Sequence, residues 1–280
     1  MSDIVWLASY PKSGNTWLRV LLANYLRDAS EPADINTIFV GPAASARRRF
    51  DEWAGVDAAA LDPSVVDRLR PQVYRCLALD ADETLFMKVH DRWDRVDTGE
   101  PMFPADVTRG VVYIIRNPLD LASSCAHHWG VPLTAAVATL CDSSAAARDV
   151  SRDTPEQLRQ FFGSWSDHVG SWVDDSGLPL HVVRYEDLAA DPRGCFGEVV
   201  RFCRLDYDRD RVGKAVKFSS FDELRRQEAA AGFQERSPRA PGGFFRRGVA
   251  GSWRDELPPH LARRLAGAHG PMMARFGYAY

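Results

Sequence analysis

One stretch at the start of the chain restricts its fold more than any other. Ile4 to Ser9 is apolar or small throughout and leads directly into Tyr10-Pro11-Lys12-Ser13-Gly14-Asn15-Thr16. Beyond it, Trp17-Leu18, Val20-Leu21-Leu22 and Tyr25-Leu26 recur at helical spacing. The order predicts a strand, a loop of small residues and a helix. A strand without polar alternation is buried on both faces, as in a parallel sheet covered by helices. Gly14 allows a tight turn and close approach of an anion. The start of the following helix offers backbone N–H groups and the positive end of its dipole. Lys12 adds a mobile charge, and Ser13 and Thr16 add hydroxyl donors. Lysine precedes glycine here, so the GxxxxGK[ST] loop of magnesium-nucleotide proteins is absent. A turn that only caps a helix is the competing explanation for the loop taken alone.

Three more apolar runs end in polar clusters. Residues 85–89 end at His90, residues 111–115 at Arg116-Asn117-Pro118, and residues 180–183 at Arg184-Tyr185-Glu186-Asp187. Helices are expected over 119–128 and 196–203, and a long irregular loop over 229–248. Residues 42–80 read as helices and surface connections. The pattern predicts an α/β fold: one domain over residues 1–280, with a central parallel sheet flanked by helices. In such sheets ligands bind beyond the carboxyl ends of the strands. Lys12, His90, Arg116 and Tyr185 are therefore expected to converge.

Composition removes several other classes. The 280 residues are 45% hydrophobic, enough for a full core. Lys and Arg number 35 against 38 Asp and Glu, a net charge of -3, which argues against a nucleic-acid protein. The five cysteines are scattered, with no CxxC pair, so neither a zinc site nor a redox motif is expected. They read as reduced thiols of a cytoplasmic protein. The N-terminus lacks the basic start of a signal peptide, and no run of about twenty apolar residues predicts a membrane span.

Tyr10-Pro11-Lys12-Ser13-Gly14-Asn15-Thr16-Trp17 resembles the 5′-phosphosulfate loop of sulfotransferases that use 3′-phosphoadenosine 5′-phosphosulfate (PAPS). Further segments follow in that family's order, so the resemblance spans roughly residues 4–255. Phe86-Met87-Lys88-Val89-His90 is similar to the strand end carrying the family's catalytic histidine. Residues 112–124 resemble its 3′-phosphate motif, whose arginine and serine fall on Arg116 and Ser124. Arg184-Tyr185-Glu186-Asp187-Leu188 is similar to the strand end whose tyrosine contacts adenine. Ser219-Ser220-Phe221 looks like the Thr/Ser-Ser-Phe segment. Residues 244–254 look like the RKGxxGDWK segment, placing its basic pair and glycine on Arg246, Arg247 and Gly248. Ser252 and Arg254 depart from that pattern, replacing Asp and Lys. The dimer motif of animal cytosolic members is not recognisable after Trp253, which leaves oligomeric state open. The motif style is closest to bacterial members, including those that sulfate small molecules and natural products.

The resemblance implies a P-loop-like fold and transfer of a sulfuryl group from PAPS to a hydroxyl of a small molecule, releasing 3′,5′-adenosine bisphosphate (PAP). Its catalytic residues would be His90 as general base, with Lys12 and Lys88 neutralising charge. Its nucleotide-binding residues would be Lys12, Ser13, Gly14, Asn15, Thr16, Trp17, Arg116, Ser124, Tyr185, Ser219, Phe221, Arg246, Arg247 and Gly248. No metal, nucleic acid or membrane partner is expected. A P-loop small-molecule kinase and a non-catalytic nucleotide-binding protein are the alternatives. The acceptor, a phenol or natural product among the candidates, would be bordered by residues 127–152 and 236–247. Trp93, Phe103 and Trp129 would line its pocket or belong to the core.

Overall fold

The computed structural model describes residues 3–146, 156–278 and 280. Four strands, β1 (Ile4–Ser9), β2 (Leu85–Val89), β3 (Thr108–Ile115) and β4 (Leu180–Arg184), form one parallel sheet in the order β2-β1-β3-β4. β1 and β2 run parallel in register from Ile4 opposite Leu85 to Ala8 opposite Val89. β3 lies on the other side of β1, so the chain crosses over β1 between β2 and β3. The helices are α1 (Asn15–Arg27), α2 (Arg47–Ala54), α3 (Pro63–Asp80), α4 (Pro118–Trp129), α5 (Leu133–Leu140) and α6 (Trp165–Gly170). They continue with α7 (Tyr185–Ala190), α8 (Pro192–Phe202), α9 (Arg209–Phe218), α10 (Phe221–Ala231), α11 (Trp253–Glu256) and α12 (Pro259–Arg275). The α/β class expected from the apolar runs is the class observed. Every residue of β1 is buried, which is why its sequence shows no alternation.

The chain divides into two compact units. The first comprises Met1–Tyr10, Gly41–Tyr113 and Ser143–Val182. Its core is aromatic: the Trp6 ring meets Tyr74 and Phe103 edge-on, each at 5.0 Å, and Phe103 lies 4.9 Å from Trp172. Phe103 is fully buried in this cluster, where other rings enclose it. Arg70 and Asp91 form a buried ion pair at 2.7 Å beside that core.

The second unit comprises Pro11–Val40, Ile114–Asp142 and Val183–Tyr280. Val20, Ile35, Leu224, Phe233 and Phe245 pack together, with Trp17, Phe221 and Phe244 against them. Helix starts follow local chemistry. Asn117 caps α4, its side-chain oxygen accepting from the Leu119 N–H at 3.0 Å, and Pro118 takes the first helical position. Asp191 and Pro192 do the same for α8, which therefore begins four residues before the expected 196. The irregular segment expected from 229 begins at 232. Glu228 to Ala231 are helix formers that prolong α10, and Gly232, at φ 72°, ends it. No helix among the described residues is long and apolar enough to cross a membrane.

Candidate active site

The loop between β1 and α1 has an unusual backbone. Lys12 adopts φ 70°, a left-handed conformation costing a non-glycine residue about 1 kcal/mol. Gly14 follows at φ 111° and serves as the N-cap of α1 without a side-chain cap. A methyl group on Gly14 would stand 2.8 Å from Cδ2 of Tyr185, so the loop backbone lies directly on that ring. The Arg116 guanidinium sits 4.2 Å from the Tyr185 ring centre, and Trp17 meets the ring edge-on at 5.9 Å. Burial raises the Tyr185 phenol above its ordinary range, against the opposing pull of Arg116, so it stays neutral.

Arg116 also donates from Nη1 to the Lys12 carbonyl at 3.3 Å, tying the end of β3 to the loop. Its Nε and the Ser13 hydroxyl are buried without a protein hydrogen-bond partner. Buried polar atoms are nearly always paired, so donors left over beside a helix start fit an anionic ligand. A phosphate group matches them in charge and in acceptor number. Trp17 is steered from behind: its Nε1 donates to the Ser219 carbonyl at 2.9 Å, and the Ser219 hydroxyl accepts from Asn24 at 3.1 Å. Ser219 is fully buried and acts as a strut for Trp17. The Thr16 hydroxyl donates to Glu235 at 3.3 Å, and buried Arg19 pairs with the same carboxylate. Lys12 Nζ rests 3.4 Å above the Phe244 ring, a cation–π contact with the irregular segment.

Residues 244–254 are held by a residue to which the sequence assigned no role. Asp120 on α4 accepts from the Gly251 N–H at 2.7 Å, the Trp253 N–H at 2.8 Å and the Ser252 hydroxyl at 3.3 Å. Gly248, at φ 68°, lies over Phe221: a methyl group there would meet the ring at 2.5 Å. Arg246 and Arg247 both pair with Glu256. Glu186, beside Tyr185, accepts from the Asn117 N–H at 3.0 Å and the Tyr278 hydroxyl at 2.9 Å. Ser124 lies half-buried on α4. The two segments expected to border an acceptor do meet: His127 Nε2 donates to the Gly243 carbonyl at 3.1 Å, and His128 meets Phe244 edge-on at 5.9 Å. Residues 147–152 of the first segment lie outside the described residues.

His90 belongs to the first unit. Its Nδ1 is 2.8 Å from the Ser9 carbonyl, which can only accept, so Nδ1 carries the proton and neutral His90 keeps its lone pair on Nε2. The backbone around it is clamped. His168 Nε2 donates to the His90 carbonyl at 3.1 Å, while the Tyr113 hydroxyl donates to His168 Nδ1 at 2.8 Å. The next residue, Asp91, accepts from Trp172 Nε1 at 3.1 Å through its carbonyl and from the Phe161 N–H at 3.0 Å through its side chain. Full burial pushes the His168 pKa down to about 3, so that ring is neutral, as this arrangement requires. Lys88 is half-buried on β2, its backbone joined to Pro42 and Ala44. Burial pushes the Cys125 thiol up to about 12, which removes it as a nucleophile. Among the described residues no cluster of His, Cys, Asp or Glu is placed to hold a metal ion.

Lys12, Gly14, Trp17, Arg116 and Tyr185 are thus linked by contacts within the second unit, with Ser13 and Thr16 buried in the same loop and helix start. Asp120, Glu186, Glu235, Glu256 and His168 were missed as site residues. Asp120 and Glu186 stand inside recognisable motifs, but their roles depend on contacts 131 and 92 residues away along the chain.

A parallel sheet whose first strand runs through a tight loop into a helix defines an α/β protein of the P-loop-like kind. The sulfotransferase domain family matches residues 2–277, and the chain belongs to that family. Human sulfotransferase 2B1 is 24% identical over 91% of this chain, which spans 62% of that relative's length. Cytosolic sulfotransferase 17 of Arabidopsis thaliana is 26% identical over 94% of this chain and 72% of its own. Among solved structures, mouse sulfotransferase SULT7A1 complexed with PAP has a TM-score of 0.59 at 18% identity, covering 97% of this chain and 85% of that one. A retinol dehydratase in a complex with retinol and PAP has a TM-score of 0.56 at 17% identity, covering 98% and 82%.

Proposed function

We propose that this protein is an enzyme, one sulfotransferase domain over residues 1–280, that transfers a sulfuryl group from PAPS to a hydroxyl of a small molecule. The observation that carries the proposal is the unpartnered Ser13 hydroxyl and Arg116 Nε beside the helix start, in a chain whose family uses such a loop for sulfuryl donors. The PAP complexes of its structural neighbours support the same nucleotide. When bound, PAPS supplies an activated sulfuryl group and a bisphosphate leaving group.

The residues of the chain then have separable tasks. Ser13, Thr16 and the backbone N–H groups at the start of α1 hold the 5′ end, and Lys12 balances the charge that builds there as the bond to sulfur breaks. Arg116, Ser124, Arg246, Arg247 and the Gly248 backbone hold the 3′-phosphate. Tyr185, with Trp17 and Phe221, sets the adenine face, and Asn15 and Ser219 support the loop. His90, whose Nδ1 faces the Ser9 carbonyl, takes the acceptor's hydroxyl proton on Nε2. Lys88 offers a second positive charge to the oxygens in transfer. A half-buried Trp129 on α4 and the neighbouring residues 236–247 suit an apolar hydroxylated acceptor such as a phenol or natural product. A cytoplasmic location follows the name of the Arabidopsis relative.

The test is incubation with PAPS and a panel of hydroxylated acceptors, read by mass spectrometry, with ATP and magnesium in parallel. Sulfated product from PAPS, lost in His90→Ala by about 100-fold or more, is expected. Phosphorylated product from ATP instead would reassign the protein as a kinase.

A further inference from the structure

Arg246 and Arg247 already hold an anion from their own chain. Arg246 donates from Nη1 and Nη2 to the two carboxylate oxygens of Glu256, at 2.7 and 2.8 Å. Arg247 Nε stands 3.0 Å from one of the same oxygens. Glu256 closes the short helix α11, and its side chain is only 14% exposed. Partial burial works against its charge, but the Arg246 hydrogen bond and charge, then the Ser123 hydroxyl and the Arg247 charge, hold the carboxyl below the ordinary range. This two-pronged geometry is the one an arginine offers to phosphate.

We propose that Glu256 is a displaceable counter-anion in the 3′-phosphate subsite, and so a determinant of nucleotide specificity. The proposal rests on the assignment of Arg246 and Arg247 to that phosphate. A 3′-phosphate that takes these arginines must displace a carboxylate from the same N–H groups or share them with it, and like charges sharing a site repel. Glu256 therefore weakens binding of 3′-phosphorylated nucleotides and leaves nucleotides without that phosphate untouched. PAPS and PAP both carry the 3′-phosphate, so the penalty falls on donor and product alike, as uniform binding does. Its benefit lies at the end of the cycle: the carboxylate returns to the arginines as the bisphosphate leaves, which speeds a step that limits many enzymes. A residue that only orients the two arginines would have the opposite effect, because its removal would weaken the nucleotide.

The experiment is calorimetric titration of PAP and of AMP into the full chain as wild type, Glu256→Gln and Glu256→Ala, each first checked for a wild-type-like melting transition. The expected result is PAP binding at least about threefold tighter in Glu256→Gln, with AMP affinity unchanged within about twofold. Glu256→Ala gives the same direction and serves if the Gln variant fails to fold. Unchanged or weaker PAP binding in a folded variant overturns the proposal, provided the wild type prefers PAP to AMP. A wild type that binds PAP no better than AMP removes the 3′-phosphate subsite itself, and the role of Glu256 with it.

Discussion

Gly14 shows how one residue joins backbone conformation to ligand chemistry. Its φ of 111° and the Tyr185 ring beneath it leave no room for a side chain. Gly14→Ala must displace a buried tyrosine and strain the turn, at a cost of about 1–3 kcal/mol. The expected outcome is a lower urea midpoint together with PAP affinity reduced at least about tenfold. A variant matching the wild type in both would mean that the loop does not lie on Tyr185. His168 makes a pH-dependent contribution. Its folded pKa is depressed to about 3 by burial, while the unfolded ring titrates near the usual ~6.5. Below that value the unfolded chain takes up a proton the folded chain refuses, so stability is full above about pH 6.5 and falls as pH drops toward 3. The slope from this group is at most about 1.4 kcal/mol per pH unit. His168→Gln should lose that slope in urea titrations at pH 7 and pH 5; equal slopes would contradict it.

At the scale of elements, α4 is the organiser of the second unit's site. Its first turn is capped by Asn117, and its Asp120 carboxylate gathers three donors from 251–253. Asp120→Ala strands two backbone N–H groups and frees the segment carrying Arg246 to Gly248. A loss of about 2–4 kcal/mol is expected by chemical unfolding, with PAP affinity falling more than AMP affinity. A variant as stable as wild type would show that the carboxylate does not hold the segment. Elements were legible in the sequence where burial is uniform. β1 coincides with its apolar run because both faces of that strand are covered; β2 coincides too, although Leu85 and Lys88 are only half-buried. β3 begins three residues before its apolar run because Thr108, Arg109 and Gly110 continue the strand with only Gly110 buried. The partners of Asp120, Glu186 and Glu256 were not legible, since a carboxylate's acceptor role is set by what folding brings to it.

For the whole molecule, a net charge of -3 is compatible with the small anion site proposed for the second unit. The cations proposed to bind the nucleotide, Lys12, Arg116, Arg246 and Arg247, are few, and Glu256 offsets part of the charge of the last two. A cluster of so few charges leaves bulk charge unchanged, so the balance argued against nucleic acid yet said nothing about a polyanionic small molecule. The strand–turn–helix at residues 4–27 was readable because its pattern is local and its spacing fixed by a turn. The acceptor side was not, because apolar side chains such as Phe103 serve a core as readily as a pocket. The proposed reaction requires recognition of two anionic ends of one adenosine nucleotide. The most direct measurement is calorimetry of PAP and AMP against wild type and Arg116→Ala. The wild type is expected to prefer PAP, and Arg116→Ala to lose about tenfold or more for PAP and distinctly less for AMP, which depends only on the loop and ring contacts of Arg116. Equal losses for both nucleotides, or no preference in the wild type, would contradict it.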